Sequence, residues 1–304
     1  MAEPINRRTA EPAAGGAPVA GPAAGGGLAS SRIGVSLGPI GVDVRWWLDS
    51  ARRLDEAGYA GVWCWDHFVG KGDRTMPVLE QWTTLTAVAA TTRRIGIGSF
   101  VTNVMNRHPA VLARMVGNVQ AISGGRVTLG IGIGGHPKEH AAYGIDFPDA
   151  PERAARLEEA IAVIRALWSG GPVTRSSAYY PLADAFAHPI PTPLPRIIVG
   201  GESAAGSPLA ARIGDGWTAF DRTFERDLPG YLEGLTAAGR SRADQRVIVA
   251  FEAGRSGEDA LGDSPWITRP GDELARWRAA GADDVIVTAR TTADVDRLVD
   301  AAGR

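Results

Sequence analysis

The sequence predicts an α/β chain closed into a (β/α)8 TIM barrel, preceded by an N-terminal tail. Two observations carry this prediction. From Arg32 onward, short β-branched or apolar runs alternate with stretches whose apolar residues recur at helical spacing, and the alternation completes eight units. The 304 residues also suit one large domain, since barrels of this kind commonly run to about 250 residues. An open doubly wound sheet uses similar units, but eight regular repeats of strand and helix favour closure.

In chain order, residues 33–37 read as the first strand. Val44, Trp47, Leu48, Ala51, Leu54 and Ala57 then share one helix face, with Gly58 near its end. Residues 61–65 are strand two, 81–91 a helix and 94–99 strand three. Val111, Leu112, Met115, Val116, Val119 and Ile122 form the next apolar stripe, closed by Gly124-Gly125. Residues 127–133 are strand four, and Pro151 with Glu152 opens a helix whose Leu157, Ile161, Ile164, Leu167 and Trp168 face inward. Residues 170–195 break the rhythm; Tyr179-Tyr180 and many prolines predict a covering loop or hairpin. Strand five (196–199) leads to a helix from 203 to 213, and strand six (216–220) to one near 224–239. Strand seven (247–253) precedes a loop with Gly257, Gly262 and Pro265 and a helix at 272–280; strand eight (284–288) and a helix at 292–302 end the chain.

Composition narrows the function. Hydrophobic residues make up 44% and charged residues 22%, which suits a globular core without covalent staples. A formal net charge of -2, with no long basic stripe, argues against nucleic acid as the main partner. The single cysteine, Cys64, rules out an intramolecular disulfide; within Gly61-Val62-Trp63-Cys64-Trp65 it reads as a small buried hydrophobe. No apolar stretch approaches the roughly 20 residues of a membrane span. Residues 1–30 are rich in Ala, Gly and Pro. They carry Arg7 and Arg8 without the apolar core that a twin-arginine signal needs. Such a tail is expected to be disordered, with residues 31–304 forming the barrel domain and the protein residing in the cytoplasm.

In such a barrel the chemistry gathers at the C-terminal ends of the strands. Asp66-His67-Phe68 follows strand two; His67 there can donate a hydrogen bond or exchange a proton, or be a packed histidine beside a capping Asp66. Ser99-Phe100-Val101-Thr102-Asn103 follows strand three and could support a flat heterocycle, or be ordinary loop chemistry. Gly130-Ile131-Gly132-Ile133-Gly134-Gly135 lacks the spacing of a dinucleotide fingerprint; its glycines, Gly134 among them, leave room for a ring or a close backbone approach. Gly200-Gly201-Glu202-Ser203 precedes a helix and exposes N–H groups suited to a phosphate, or forms a simple tight turn. The five histidines and one cysteine make no metal motif, and no G-x-S-x-G elbow occurs.

Taken in order, these segments resemble the luciferase-like monooxygenase superfamily. Trp65-Asp66-His67-Phe68, Ser99-Phe100-Val101-Thr102 with Arg107-His108-Pro109-Ala110-Val111-Leu112-Ala113, and Gly124 through Gly132 are each similar to a family segment. So are Tyr143-Gly144, Arg153 to Leu157, and Gly200-Gly201 followed by Gly214-Asp215-Gly216-Trp217. The resemblance implies FMN or the deazaflavin F420 in the barrel mouth, and the Asp-His pair with the 99–103 segment looks like the F420 branch. It further implies a catalytic His67 near the hydride-carrying face and a coenzyme held by Asp66, Ser99, Phe100, Thr102 and Gly134. Gly200, Gly201 and Ser203 would take the phosphate, and the Ser99–Phe100 peptide would be a non-proline cis bond behind the ring.

One departure stands out. F420-dependent sugar-phosphate dehydrogenases carry a catalytic glutamate where this chain has Gly135, and neither His136 nor Glu139 occupies that position. The expected function is an F420-dependent oxidoreductase passing a hydride between the coenzyme and a small organic substrate, in a homodimer. The alternatives are an FMN-dependent monooxygenase served by a separate reductase, and a non-catalytic homologue.

Overall fold

The computed structural model describes residues 32–70, 72–252, 261–262 and 264–303. The expected disorder of residues 1–30, the end of strand seven at Ala253 and the loop position of Gly257 lie outside them. The chain runs β1 (Ile33–Leu37), α1 (Val44–Glu56), β2 (Gly61–Cys64), α2 (Gln81–Thr91), β3 (Gly96–Ser99), β4 (Thr102–Asn103), α3 (Pro109–Ser123) and β5 (Val127–Gly132). Next come α4 (Pro137–Ala142), α5 (Ala150–Leu167), β6 (Val173–Arg175), β7 (Leu182–Ala185), β8 (Arg196–Gly200), α6 (Gly206–Ile213) and β9 (Gly216–Phe220). The last elements are α7 (Asp221–Ala237), β10 (Arg246–Phe251), α8 (Pro265–Thr268), α9 (Pro270–Ala279), β11 (Asp284–Ala289) and α10 (Thr292–Ala302).

Strands β1, β2, β3, β5, β8, β9, β10 and β11 pair in parallel around a closed ring. β1 joins β11 through Ile33↔Val285, and β3 joins β5 through Ile97↔Val127. The predicted barrel is therefore present, with β4 as a short extra pairing beside β5. The irregular stretch 170–195 contains the antiparallel hairpin β6–β7.

Local chemistry explains where boundaries differ from the sequence reading. Pro137, which argues against a helix around His136 and His140, occupies the first turn of α4, where its missing N–H is no loss. Helix α6 starts at Gly206, not Ser203, because Ser203 accepts a hydrogen bond from Gly206 N–H at 3.0 Å and so lies outside the helix. Helix α7 follows β9 directly at Asp221, earlier than the spacing suggests.

Packing falls into two shells. Between barrel and helices, Trp47, Leu54, Trp82, Leu85, Leu157 and Tyr231 are fully buried, each contributing about 1.5–3 kcal/mol. Trp217 stacks on Phe224 and Tyr231 at 5.3 and 5.2 Å. Cys64 lies in this shell as expected, and burial, with Asp66 and Glu80 adding to it, pushes its thiol well above the ordinary range. Inside the barrel, Trp63 meets Phe100, Ile198, Ile248, Ala250 and Ile286. Its indole fits because the adjacent strands carry Gly34 and Gly98, where a Cβ would stand 2.5 and 2.2 Å from it. Among the described residues, no helix is long and apolar enough to cross a membrane.

Gly98→Ala is expected to destabilise the fold by about 1–3 kcal/mol through overpacking against Trp63. Gly135→Ala, whose Cβ meets nothing within 4 Å, should stay within about 0.5 kcal/mol of wild type. Urea denaturation of both variants checks this; equal midpoints would mean that Trp63 has somewhere else to go.

Candidate active site at the barrel mouth

The C-terminal ends of β2, β3, β5, β8, β9 and β10 surround a cavity of about 840 Å³. Of the residues singled out from sequence, Asp66, His67, Phe100, Gly134, Gly200, Gly201 and Ser203 line it. Ser99 and Thr102 do not. Strand alternation turns Phe100 toward the barrel axis and Ser99 away from it, so Ser99 Oγ donates to Gly130 O at 2.7 Å. Thr102 Oγ1 donates to Gln81 Oε1 at 2.7 Å and accepts from Trp82 Nε1 at 3.2 Å, beneath α2.

The non-proline cis bond is also displaced from its expected position. It joins Phe100 and Val101, not Ser99 and Phe100. The β2–β3 ladder still holds Ser99 opposite Cys64, and Phe100 N–H donates to Cys64 O at 2.8 Å. The chain departs from the strand only after that bond. Val101 then faces the cavity, packed against Gly132 and Gly200, where a Cβ would come within 3.0 and 3.3 Å of its methyl groups.

Asp66 is committed to protein partners. It accepts a bidentate pair from Arg107 at 2.7 and 3.0 Å, plus Asn103 N–H at 2.9 Å. Arg107 also reaches Glu80 at 2.5 Å, and these two carboxylates outweigh its burial to hold its charge above the ordinary range. Glu80 in turn caps α2 through Thr83 N–H at 2.7 Å.

The wall behind His67 is built by α4. Glu139, 6% exposed, places Oε2 3.1 Å from His67 Nδ1. Its Oε1 accepts the N–H groups of Phe68 and Val69, the latter at 3.0 Å. His140 Nε2 meets Asn103 Nδ2 at 2.8 Å while its Nδ1 faces His136 O at 2.9 Å, a pattern that suits a neutral ring donating from Nδ1. Tyr143 O–H donates to Phe68 O at 3.2 Å. Gly134 has φ +75, and a Cβ there would meet Asn103 Oδ1 at 2.5 Å, so only glycine lets the chain turn into α4 here.

On the opposite wall, Glu202 accepts from Phe220 N–H at 3.3 Å and Thr223 Oγ1 at 2.9 Å at the start of α7, while Arg222 lies 3.6 Å away. A carboxylate in the predicted phosphate turn is thereby tied off. Glu252 bridges Arg222 and Arg290, each at 3.3 Å. The two guanidinium groups lie over Phe220 and Trp65, at 4.5 and 5.2 Å. Thr218 Oγ1, deep in this wall, finds no hydrogen-bond partner within the protein. Sequence reasoning missed Thr218, Phe220, Arg222 and Glu252 as cavity residues. All lie on, or within two residues after, the last part of β9 or β10, so the strand-end rule could have found them.

Burial raises the pKa of Glu139, but the N–H groups of Phe68 and Val69 together with His67 outweigh it and leave the carboxyl below its ordinary 4.5. Glu80 is lowered in the same way: burial is overcome by Thr83 and Arg107. Carboxyls depressed on folding stabilise the native state above their unfolded pKa, and this stability is lost as pH falls through the folded values. Stability should therefore decline as pH drops below about 4.5, and less steeply in Glu139→Gln. Urea midpoints measured from pH 6 down to pH 3 test it; parallel curves for the two proteins would sink the assignment to Glu139.

Comparison with known proteins follows the same lines. The luciferase-like monooxygenase family model matches residues 25–260. An F420-dependent glucose-6-phosphate dehydrogenase of Microbacterium testaceum is 34% identical over 214 residues, spanning 66% of this chain and 62% of that one. The chain thus matches somewhat less than two thirds of that relative's length. An F420-dependent hydroxymycolic acid dehydrogenase of Mycobacterium tuberculosis is 32% identical over 251 residues, 78% of this chain and 69% of the relative. A solved F420-dependent secondary alcohol dehydrogenase, in complex with an F420-acetone adduct, superposes with a TM-score of 0.77. It covers 90% of this chain and 99% of its own at 20% identity, a likeness of fold. A family match that runs through the strand ends surrounding this cavity makes the chain a member of the luciferase-like monooxygenase family.

Proposed function

We propose that this protein is an F420-dependent oxidoreductase that passes a hydride between the deazaflavin coenzyme and a small organic substrate. The observation that carries the reading is His67, held by a buried carboxylate on the wall of a cavity that Val101 also lines. The F420-dependent relatives support it.

The residues present suit a flat, anionic-tailed coenzyme. The cavity volume lies within the range of cofactor sites. Val101, Phe100 and Ile133 offer an apolar seat, and the orphaned Thr218 hydroxyl offers a polar partner for a ring edge. Gly200, Gly201 and Ser203 precede the N-terminus of α6, a setting that suits a phosphate. Gly134 turns the backbone beside the same space. In this reading Ser99 and Thr102 act from behind the wall, and Asp66, on the wall itself, is held by Arg107 and Asn103 and fixes the loops that touch the coenzyme.

Bound F420 supplies a carbon centre that carries two electrons as hydride. The chain supplies orientation, exclusion of water and a proton site at the His67 imidazole. Gly135 leaves no carboxylate at the position used by sugar-phosphate dehydrogenases, so the substrate in this reading is another small alcohol or carbonyl compound. We also propose a cytoplasmic homodimer. Its support is the family resemblance and the exposed Val111 and Ile122 of α3, with Ile190 and Leu194 in the segment that crosses it. Sedimentation analysis should then give twice the 31.9 kDa chain mass; a monomer would end the dimer proposal.

Parallel titrations with F420 and FMN, followed by tryptophan fluorescence, test the coenzyme. Saturable F420 binding with little FMN binding is expected. His67→Ala should retain binding but lose about 10²–10⁴-fold in hydride transfer. Preference for FMN would turn the reading to a monooxygenase, and binding of neither to a non-catalytic homologue.

A further inference from the structure

We infer that Glu139 is a positioning residue that holds the neutral ring of His67 as its Nδ1–H tautomer, leaving Nε2 to take up the substrate's proton. This rests on the reading above that His67 is the proton site.

The geometry leaves little choice of tautomer. An ionised carboxylate only accepts hydrogen bonds, so across the 3.1 Å contact between Glu139 Oε2 and His67 Nδ1 the hydrogen must sit on the ring. The other carboxylate oxygen is held by Phe68 and Val69 N–H, which fixes the plane of the group. Those N–H groups also keep Glu139 ionised despite its burial. His136 packs edge-on against the His67 ring with centroids 4.7 Å apart, so the imidazole is held on a second side. The charged pair Asp66–Arg107 is next in the chain but has its own closed set of partners.

The proton balance is simple. In the oxidising direction the substrate would give up its carbinol hydrogen with the bonding electron pair, for which bound F420 would be the acceptor; this chain's part is the hydroxyl proton. The hydroxyl proton passes to His67 Nε2, and the carbonyl product forms. The imidazolium that results lies against the Glu139 carboxylate and then releases its proton to solvent. No proton moves onto Glu139.

Glu139→Gln tests the tautomer, because glutamine has one accepting oxygen. Phe68 and Val69 N–H claim that oxygen, so the amide NH2 faces His67 Nδ1. Nδ1 must then accept, and the ring proton moves to Nε2, which can no longer act as a base. Nitrogen-15 NMR of histidine-labelled, coenzyme-free protein reads this directly, with the His67 signal identified by its loss in His67→Asn. The expected result is a protonated Nδ1 in wild type and a protonated Nε2 in E139Q. F420 binding in E139Q should stay within a few-fold of wild type while kcat falls about 10²-fold or more. The matching carboxylate-to-amide change in a serine protease triad costs about 10⁴-fold.

A wild-type ring protonated on Nε2, or an E139Q ring still protonated on Nδ1, would overturn the proposal. The wild-type spectrum alone decides the first of these even if E139Q does not fold. Failure of wild type to bind F420 would instead remove the coenzyme reading and leave the tautomer result standing.

Discussion

A closed barrel of eight strands encloses an interior that side chains must fill, and here the inner cluster is built around one indole. Trp63 occupies the axis because Gly34 and Gly98 on the flanking strands carry no side chain where the ring lies. Phe100, Ile198, Ile248 and Ile286 close around it. This plug sets the floor of everything above. Higher in the barrel the same device works in reverse: Gly132 and Gly200 withhold side chains, and Val101 packs against both. One layer is filled by a large ring and the layer above it is left open, so the cavity lies at the C-terminal end.

The hollow would be shapeless without α4. This short helix lies between β5 and α5, yet its contacts reach loops that leave two other strands. Glu139 and Tyr143 hold the turn after β2, and His140 meets Asn103 after β3. The Asp66–Arg107–Glu80 chain fastens the same two loops to the start of α2. Breaking one partner of a buried ion pair is costly, whereas the intact pair adds little net stability. The value of these groups lies in geometry: they tie the loops after β2 and β3 to α2, while Glu139 and His136 contact the His67 ring itself.

The far wall has a different character. Its charges are spent among themselves, Glu252 between Arg222 and Arg290, and Glu202 on the first turn of α7. The guanidinium groups lie on Trp65 and Phe220, so this side presents aromatic rings edged by neutralised charge. His67 beside a buried carboxylate thus faces, across the cavity, a wall whose charges are already paired.

Much of this was legible in the chain because hydrophobic period is a local property. Eight strand–helix units, the core face of α5, the burial of Cys64, and His67 and the Gly200-Gly201 turn at strand ends all follow from spacings of a few residues, whereas Val44, Val111 and Ile122, which share the apolar spacing of α1 and α3, are exposed. Tertiary structure alone decided which side chains point inward where the strand pattern breaks. The break between β3 and β4 lets the consecutive Phe100 and Val101 both face inward while Ser99 and Thr102 on either side turn outward, and local sequence does not fix that break. It also decided the partnership of His67 with Glu139, 72 residues apart. Residue type names Glu139 as a carboxylate, but only the pairing of β2 with β3 and of β3 with β5 brings the helix after β5 within reach of the loop after β2. Only there does a buried carboxylate meet the Phe68 and Val69 N–H groups and the His67 ring, which together keep it charged.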